Sequence, residues 1–128
     1  MFLNIKTDDG HVAPFEQFPC GNITPKAGML MALSSGKLAL AAGTTVPEFL
    51  CVEEHASSVS DGTPVTVVRI DHDTIYETTL STSGTLTVGV KYTIAADGLR
   101  VTATSTTGVA ECMYVAGTAS GDIVHVRF

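Results

Sequence analysis

The sequence predicts an all-β chain, a small β-sandwich or β-barrel, and three observations lead there. Short runs rich in β-branched and aromatic residues alternate in hydropathy with period two, the repeat that places successive side chains on opposite faces of a strand. Turn signals built on Gly, Asp and Ser recur about every 8 to 12 residues, the spacing of small sandwiches and barrels. No amphipathic helix longer than two turns can be traced, and no internal repeat suggests a solenoid.

The elements follow in order. Residues 1–24 carry Phe2, Leu3, Ile5, Phe15, Phe18 and Ile23, broken up by Asp8, Asp9, Gly10, Pro14, Pro19 and Gly21. Prolines at that density oppose helices and long ladders alike. This segment reads as an extended arm with apolar anchors, or equally as a first strand and loop packed on its own domain. Residues 25–128 form the body. Residues 29–33 and 37–41 flank Ser34, Ser35 and Gly36 as a hairpin. Pro47 introduces a strand over 48–54, and a turn cluster over 57–62 precedes a strand over 63–70. There Val65, Val67 and Arg69 alternate with Thr66, Val68 and Ile70. Asp71, His72 and Asp73 interrupt, and a strand over 75–80 resumes the run. Strands over 89–94, 99–104, 111–116 and 123–128 complete the chain, with Asp97 and Gly98 a strong turn signal between the first two.

The 128 residues suit one domain with a single core. Hydrophobic residues at 45% against 16% charged argue against disorder. So little charge also suggests a surface partly covered by a partner. The formal net charge is −6, and the seven basic residues are scattered. No positive stripe can therefore neutralise phosphates, which excludes nucleic acid as a direct partner and an anionic membrane likewise. The opening residues are too short and polar for a signal peptide, and no apolar run nears the roughly 20 residues that span a bilayer. Synthesis and use without passing through a secretory route is the expectation.

Residues with catalytic or ligating chemistry are few. Cys20, Cys51 and Cys112 form no CxxC pair, and the last two sit in apolar strand patterns as small core residues. Glu53, Glu54 and His55 end one strand, and Asp71, His72 and Asp73, with Glu77 nearby, occupy a turn. Adjacent strand residues point to opposite faces, so neither triplet converges by itself on a metal. There is no GxSxG elbow, phosphate-binding P-loop or GxGxxG. Tyr76, Tyr92 and Tyr114 lie inside strand patterns and are expected to pack in the core or on a sheet face. No catalytic residue, metal site or cofactor is expected.

Pro25-Lys26-Ala27-Gly28 before an apolar strand, then Ser34-Ser35-Gly36-Lys37-Leu38 and Ala41-Ala42-Gly43, resembles the opening of tailed-phage capsid decoration (cement) proteins. Asp61-Gly62-Thr63-Pro64-Val65 is similar to the next element of that family. The segments starting at Gly89, Asp97 and Gly121 are similar to its C-terminal half, so the resemblance runs over about residues 25–128. It implies a compact β-tulip-like domain, often a homotrimer on the outer surface of the virion. Such a domain clamps neighbouring major capsid protein subunits, commonly with an N-terminal arm. On that reading Phe2, Leu3, Ile5, Phe15 and Phe18 are the capsid-binding residues, though this arm is more aromatic than those of the family. The alternative is a glycan- or receptor-binding β-sandwich on the virion surface.

Overall fold

A computed structural model of the protein describes residues 1–7, 10 and 13–128. Asp8, Asp9, His11 and Val12, the first two of them counted above as breakers, lie outside the described residues. The described residues contain no helix, and their strands form two antiparallel sheets of five. In chain order the strands are β1 (Leu3–Thr7), β2 (Phe15–Pro19), β3 (Leu30–Ser34), β4 (Lys37–Leu40) and β5 (Phe49–Cys51). They continue as β6 (Pro64–Arg69), β7 (Thr74–Thr79), β8 (Lys91–Tyr92), β9 (Ala110–Val115) and β10 (Ile123–Arg127). One sheet has the order β1-β7-β10-β9-β8 and the other β2-β6-β5-β3-β4. A parallel bridge between Cys20 and Leu38 draws the end of β2 against β4. The sheets do not close, however, so of the two expected forms the sandwich is realised rather than the barrel.

Alternation along the strands distributes side chains between two cores. In β3, Leu30 and Ala32 enter the core shared by both sheets, with Tyr76, Val124 and Val126, while Met31 enters a second one. In β5, Leu50 joins the shared core, and Phe49 and Cys51 join the second, which also holds Leu38, Val65 and Val67. β3 and β5, at the middle of the second sheet, are thus buried on both faces, which is why Leu30–Ala32 and Phe49–Cys51 read as unbroken apolar runs. The β3–β4 hairpin turns through Ser35 at φ 50° and Gly36 at φ 76°. Two successive positive φ values give the type I′ geometry whose twist matches that of paired strands.

Two expected strands are reduced. Of residues 89–94 only Lys91–Tyr92 is a strand, and residues 99–104 contain none. The two segments still fold back on each other, with the Thr102 amide donating to the Thr93 carbonyl and the Ala95 amide to Arg100, at 2.9 and 2.8 Å. The ladder stays irregular because Val101, fully buried, is shared. Its amide donates to the Thr79 carbonyl, and its carbonyl accepts from the Ser81 amide. A backbone group engaged by β7 cannot also complete a regular hairpin.

Over residues 1–24 the described residues form the outer strand of each sheet. β1 runs antiparallel to β7, and β2 runs antiparallel to β6 with Phe15 opposite Val68 and Phe18 opposite Val65. The Phe2 amide donates to the Gly28 carbonyl at 2.9 Å. Its ring, 1% exposed, packs edge-on against Phe128 at 5.7 Å, and Phe128 in turn lies 5.8 Å from Tyr76. Gly28 permits this approach, because a Cβ there would meet the Phe2 backbone at 2.9 Å and Met1 closer still.

Candidate functional site

Three of the five expected anchors reach the surface. Leu3 and Ile5 are 47% and 46% exposed on β1, and Phe15 at 72% is the most exposed large apolar residue among those described. Phe18 is half-buried against Phe49, with ring centroids 4.9 Å apart. Phe2 belongs to the core and is not free to meet a partner while β1 stays paired. β1 and β2 are the outer strands beside β7 and β6, and the short turn over 70–73 joins those two, so the exposed anchors gather on one edge of the sandwich.

The edge also offers main-chain groups. The Cys20 amide donates to the Thr63 carbonyl of the neighbouring chain segment at 2.9 Å. By alternation Phe18 and Glu16 turn their amides and carbonyls toward β6, and Phe15 and Gln17 turn theirs outward. Such an open row can accept another strand, although it is short. Pro19 blunts one end of it, and β1 carries a register break between Asn4 and Lys6.

Beside Phe15 lies an open groove of about 550 Å³. Ala13, Pro14 and Glu16 line it together with Arg69, Ile70, Asp71 and His72. Arg69 pairs with Glu16 at 3.1 Å and stacks over the Phe49 ring at 4.8 Å, holding its guanidinium at the groove. Sequence reasoning missed Glu16, Arg69 and Ile70 as groove residues. The one available signal was Arg69 at the end of the alternating run of Val65 and Val67.

The acid–histidine clusters separate as alternation requires. Glu53 accepts from the Thr66 amide at 2.9 Å and hydroxyl at 2.5 Å with one oxygen, and meets His55 Nε2 at 2.8 Å with the other. The Thr66 hydroxyl, followed by His55, holds the Glu53 carboxyl below the usual range. Glu54 turns instead to the Ala27 amide and to Lys26. In the second cluster Asp71 accepts from the Asp73 amide, His72 Nδ1 meets the Phe128 carbonyl at 2.6 Å, and Glu77 pairs with His125 at 3.0 Å. Among the described residues no three His, Cys, Asp or Glu side chains are placed to hold a metal.

All three cysteines are buried and free. Burial pushes their thiols up, Cys51 to about 11, so the unreactive thiol is the form present. Tyr76 and Tyr92 are core residues, but Tyr114 is 49% exposed on the outer face of the first sheet, 5.0 Å from the His125 ring. A bulge between His125 and Val126 shifts the pairing with β9 and sets Tyr114 opposite His125. No sequence pattern announces a bulge of this kind.

Neither protein-family models nor curated proteins match this chain.

Proposed function

We propose that this protein is a structural protein of the virion that decorates the outer surface of a tailed-phage capsid and stabilises it by binding neighbouring major capsid protein subunits. The observation that carries the reading is the N-terminal edge, where Leu3, Ile5 and Phe15 stand exposed beside outward main-chain groups and a groove lined by Ala13, Pro14 and Ile70 among charged side chains. An exposed aromatic beside an open strand edge suits capture of an extended segment, the backbone supplying affinity and the pocket supplying choice. The resemblance over residues 25–128 supplies the class of partner. Many copies on a lattice turn modest single contacts into large total stability.

The test is co-sedimentation with empty expanded shells. Phe15→Ser should cut occupancy at least tenfold at limiting protein while the melting temperature stays within a few degrees of the parent. Full occupancy by the variant would rule out this edge. A second reading, a glycan- or receptor-binding module, draws on the exposed Tyr114 ring, a surface on which sugars can stack. Clear hits on a glycan array with no binding to shells would favour it.

A further inference from the structure

One departure from alternation in β9 governs what the outer face of the first sheet presents. Cys112 pairs with Val126, and both side chains enter the shared core. Continued without a break, that register would set Tyr114 opposite Val124, which also points inward, and would bury the ring. The bulge between His125 and Val126 instead sets Tyr114 opposite His125 and Val115 opposite Val124, with Met113 the extra residue. An aromatic side chain that alternation would send to the core is thereby turned to solvent. Bulges recur beside active sites, where they re-aim a side chain in this way.

The ring is held as well as exposed. The His125 imidazole lies against it at an interplanar angle of 43°, and His125 Nε2 meets Glu77 of β7 at 3.0 Å. That pairing uses one nitrogen and one carboxylate oxygen, so among the described residues His125 Nδ1 and the second Glu77 oxygen stay open to a ligand. Two residues along β10, about 7 Å away, Arg127 pairs with Glu111 at 2.8 Å, and Lys91 stands opposite Glu111. Glu77 and Glu111 are thus balanced by Arg127 and Lys91, and the surroundings of Tyr114 offer fixed hydrogen-bonding groups with little net field. Such a patch gives a charged ligand no electrostatic gain, and a dry protein interface would have to strip water from both ion pairs. A neutral polyhydroxylated ring matches it. One face of a pyranose presents C–H groups that pack on an aromatic ring, and the hydroxyls at its rim take the place of water on carboxylate, imidazole and guanidinium groups.

From the re-aimed ring and the balanced polar groups around it we infer that the outer face of the β1-β7-β10-β9-β8 sheet is a carbohydrate site for a neutral pyranoside. Tyr114 carries the stacking, and His125, oriented by Glu77, meets the hydroxyls together with the Arg127–Glu111 pair. The inference rests on the second reading above, for which it names the ligand class and the contact residues, and it is independent of the edge at Phe15. One stacking ring on an open face corresponds to a dissociation constant of about 1–10 mM for a single sugar. Copies arrayed at high density strengthen that through multivalency.

Titration of the isotope-labelled full chain with methyl glycosides of galactose, glucose, mannose and N-acetylglucosamine, with sialic acid as the charged control, reads the site by amide chemical shift. At least one neutral glycoside should give saturable shifts confined to Tyr114, His125 and their neighbours. Tyr114→Ala should weaken that binding at least tenfold with the far-ultraviolet circular dichroism of the parent retained, whereas Tyr114→Phe, which keeps the ring, should stay within threefold. Phe15→Ser should leave the sugar affinity unchanged. The absence of saturable shifts with every neutral glycoside up to about 50 mM overturns the inference. So do binding of sialic acid alone and parent-like binding by folded Tyr114→Ala. Hits on a glycan array that survive Tyr114→Ala overturn it too, while leaving the second reading in place at another surface. If Tyr114→Ala does not fold, Glu77→Ala takes its place, and unchanged affinity then counts against the inference equally.

Discussion

Phe2 and Phe15 have the same side chain and sit in one short N-terminal segment, yet they do opposite work. Phe2 fills the shared core against Phe128, and Phe15 stands in solvent at the end of β2. Truncating a buried phenylalanine removes its transfer free energy and leaves a cavity. Phe2→Ala should therefore cost about 3–5 kcal/mol in urea unfolding, whereas an exposed position such as Phe15 should move stability by less than about 0.5 kcal/mol. The thiols invite a second measurement at this scale. With Cys20, Cys51 and Cys112 buried and their acidities suppressed, a thiol-specific reagent at pH 8 should label the native chain at a rate set by its opening. Full labelling within seconds without denaturant would contradict the burial.

The next scale is the strand, and β2 shows how an edge strand is fastened. Gln17 bonds to the Thr66 hydroxyl at 3.2 Å, and that hydroxyl donates to Glu53, which also meets His55. One carboxylate thus ties the segment after β5 to β6, which carries β2. A carboxyl held low in the folded state stabilises above its unfolded pKa near 4.5, and the contribution fades as pH falls through the folded value. Acidification below about pH 4.5 should therefore loosen this corner first. Glu53→Gln should lose stability at pH 7 and show a flatter dependence across the acid range. Hydrogen exchange at the Thr66 amide, followed from pH 6 to 3, reads the effect, and exchange in the parent independent of pH-driven opening would refute it. The strands themselves were largely legible in the sequence. Residues 64–69 and 123–127 alternate cleanly because each has one side chain in, one out. The failure at 99–104 has a physical cause too, since the Val101 backbone bonds to Thr79 at the end of β7 and to Ser81, a contact between distant parts of the chain that no local pattern encodes.

Across the whole molecule, the N-terminal segment is part of the architecture rather than an appendage to it. Deleting residues 1–20 removes Phe2 from one core, Phe18 and Cys20 from the other, and the outer strand of each sheet. The truncated chain should melt well below the parent or fail to fold. A truncated chain with parent-like melting would show that neither core depends on the segment. Loss of shell binding on truncation would consequently say nothing about docking, which is why the surface substitution at Phe15 carries the functional test. The exposed anchors were half visible beforehand. Leu3, Ile5 and Phe15 could be named from their types, but Phe2 and Phe18 belonged to the same list until packing separated them.

Residue order alone settled the all-β character, the hairpin at Ser35 and Gly36 and the spread of charge along the chain, because period-two alternation and positive-φ turns are local properties. Which phenylalanines lie in solvent, which lysines share a face with Tyr114, and whether the acid–histidine clusters converge were decided by sheet order and register. Those depend on contacts between residues far apart in the chain, where a single bulge reassigns the neighbours of every side chain beyond it.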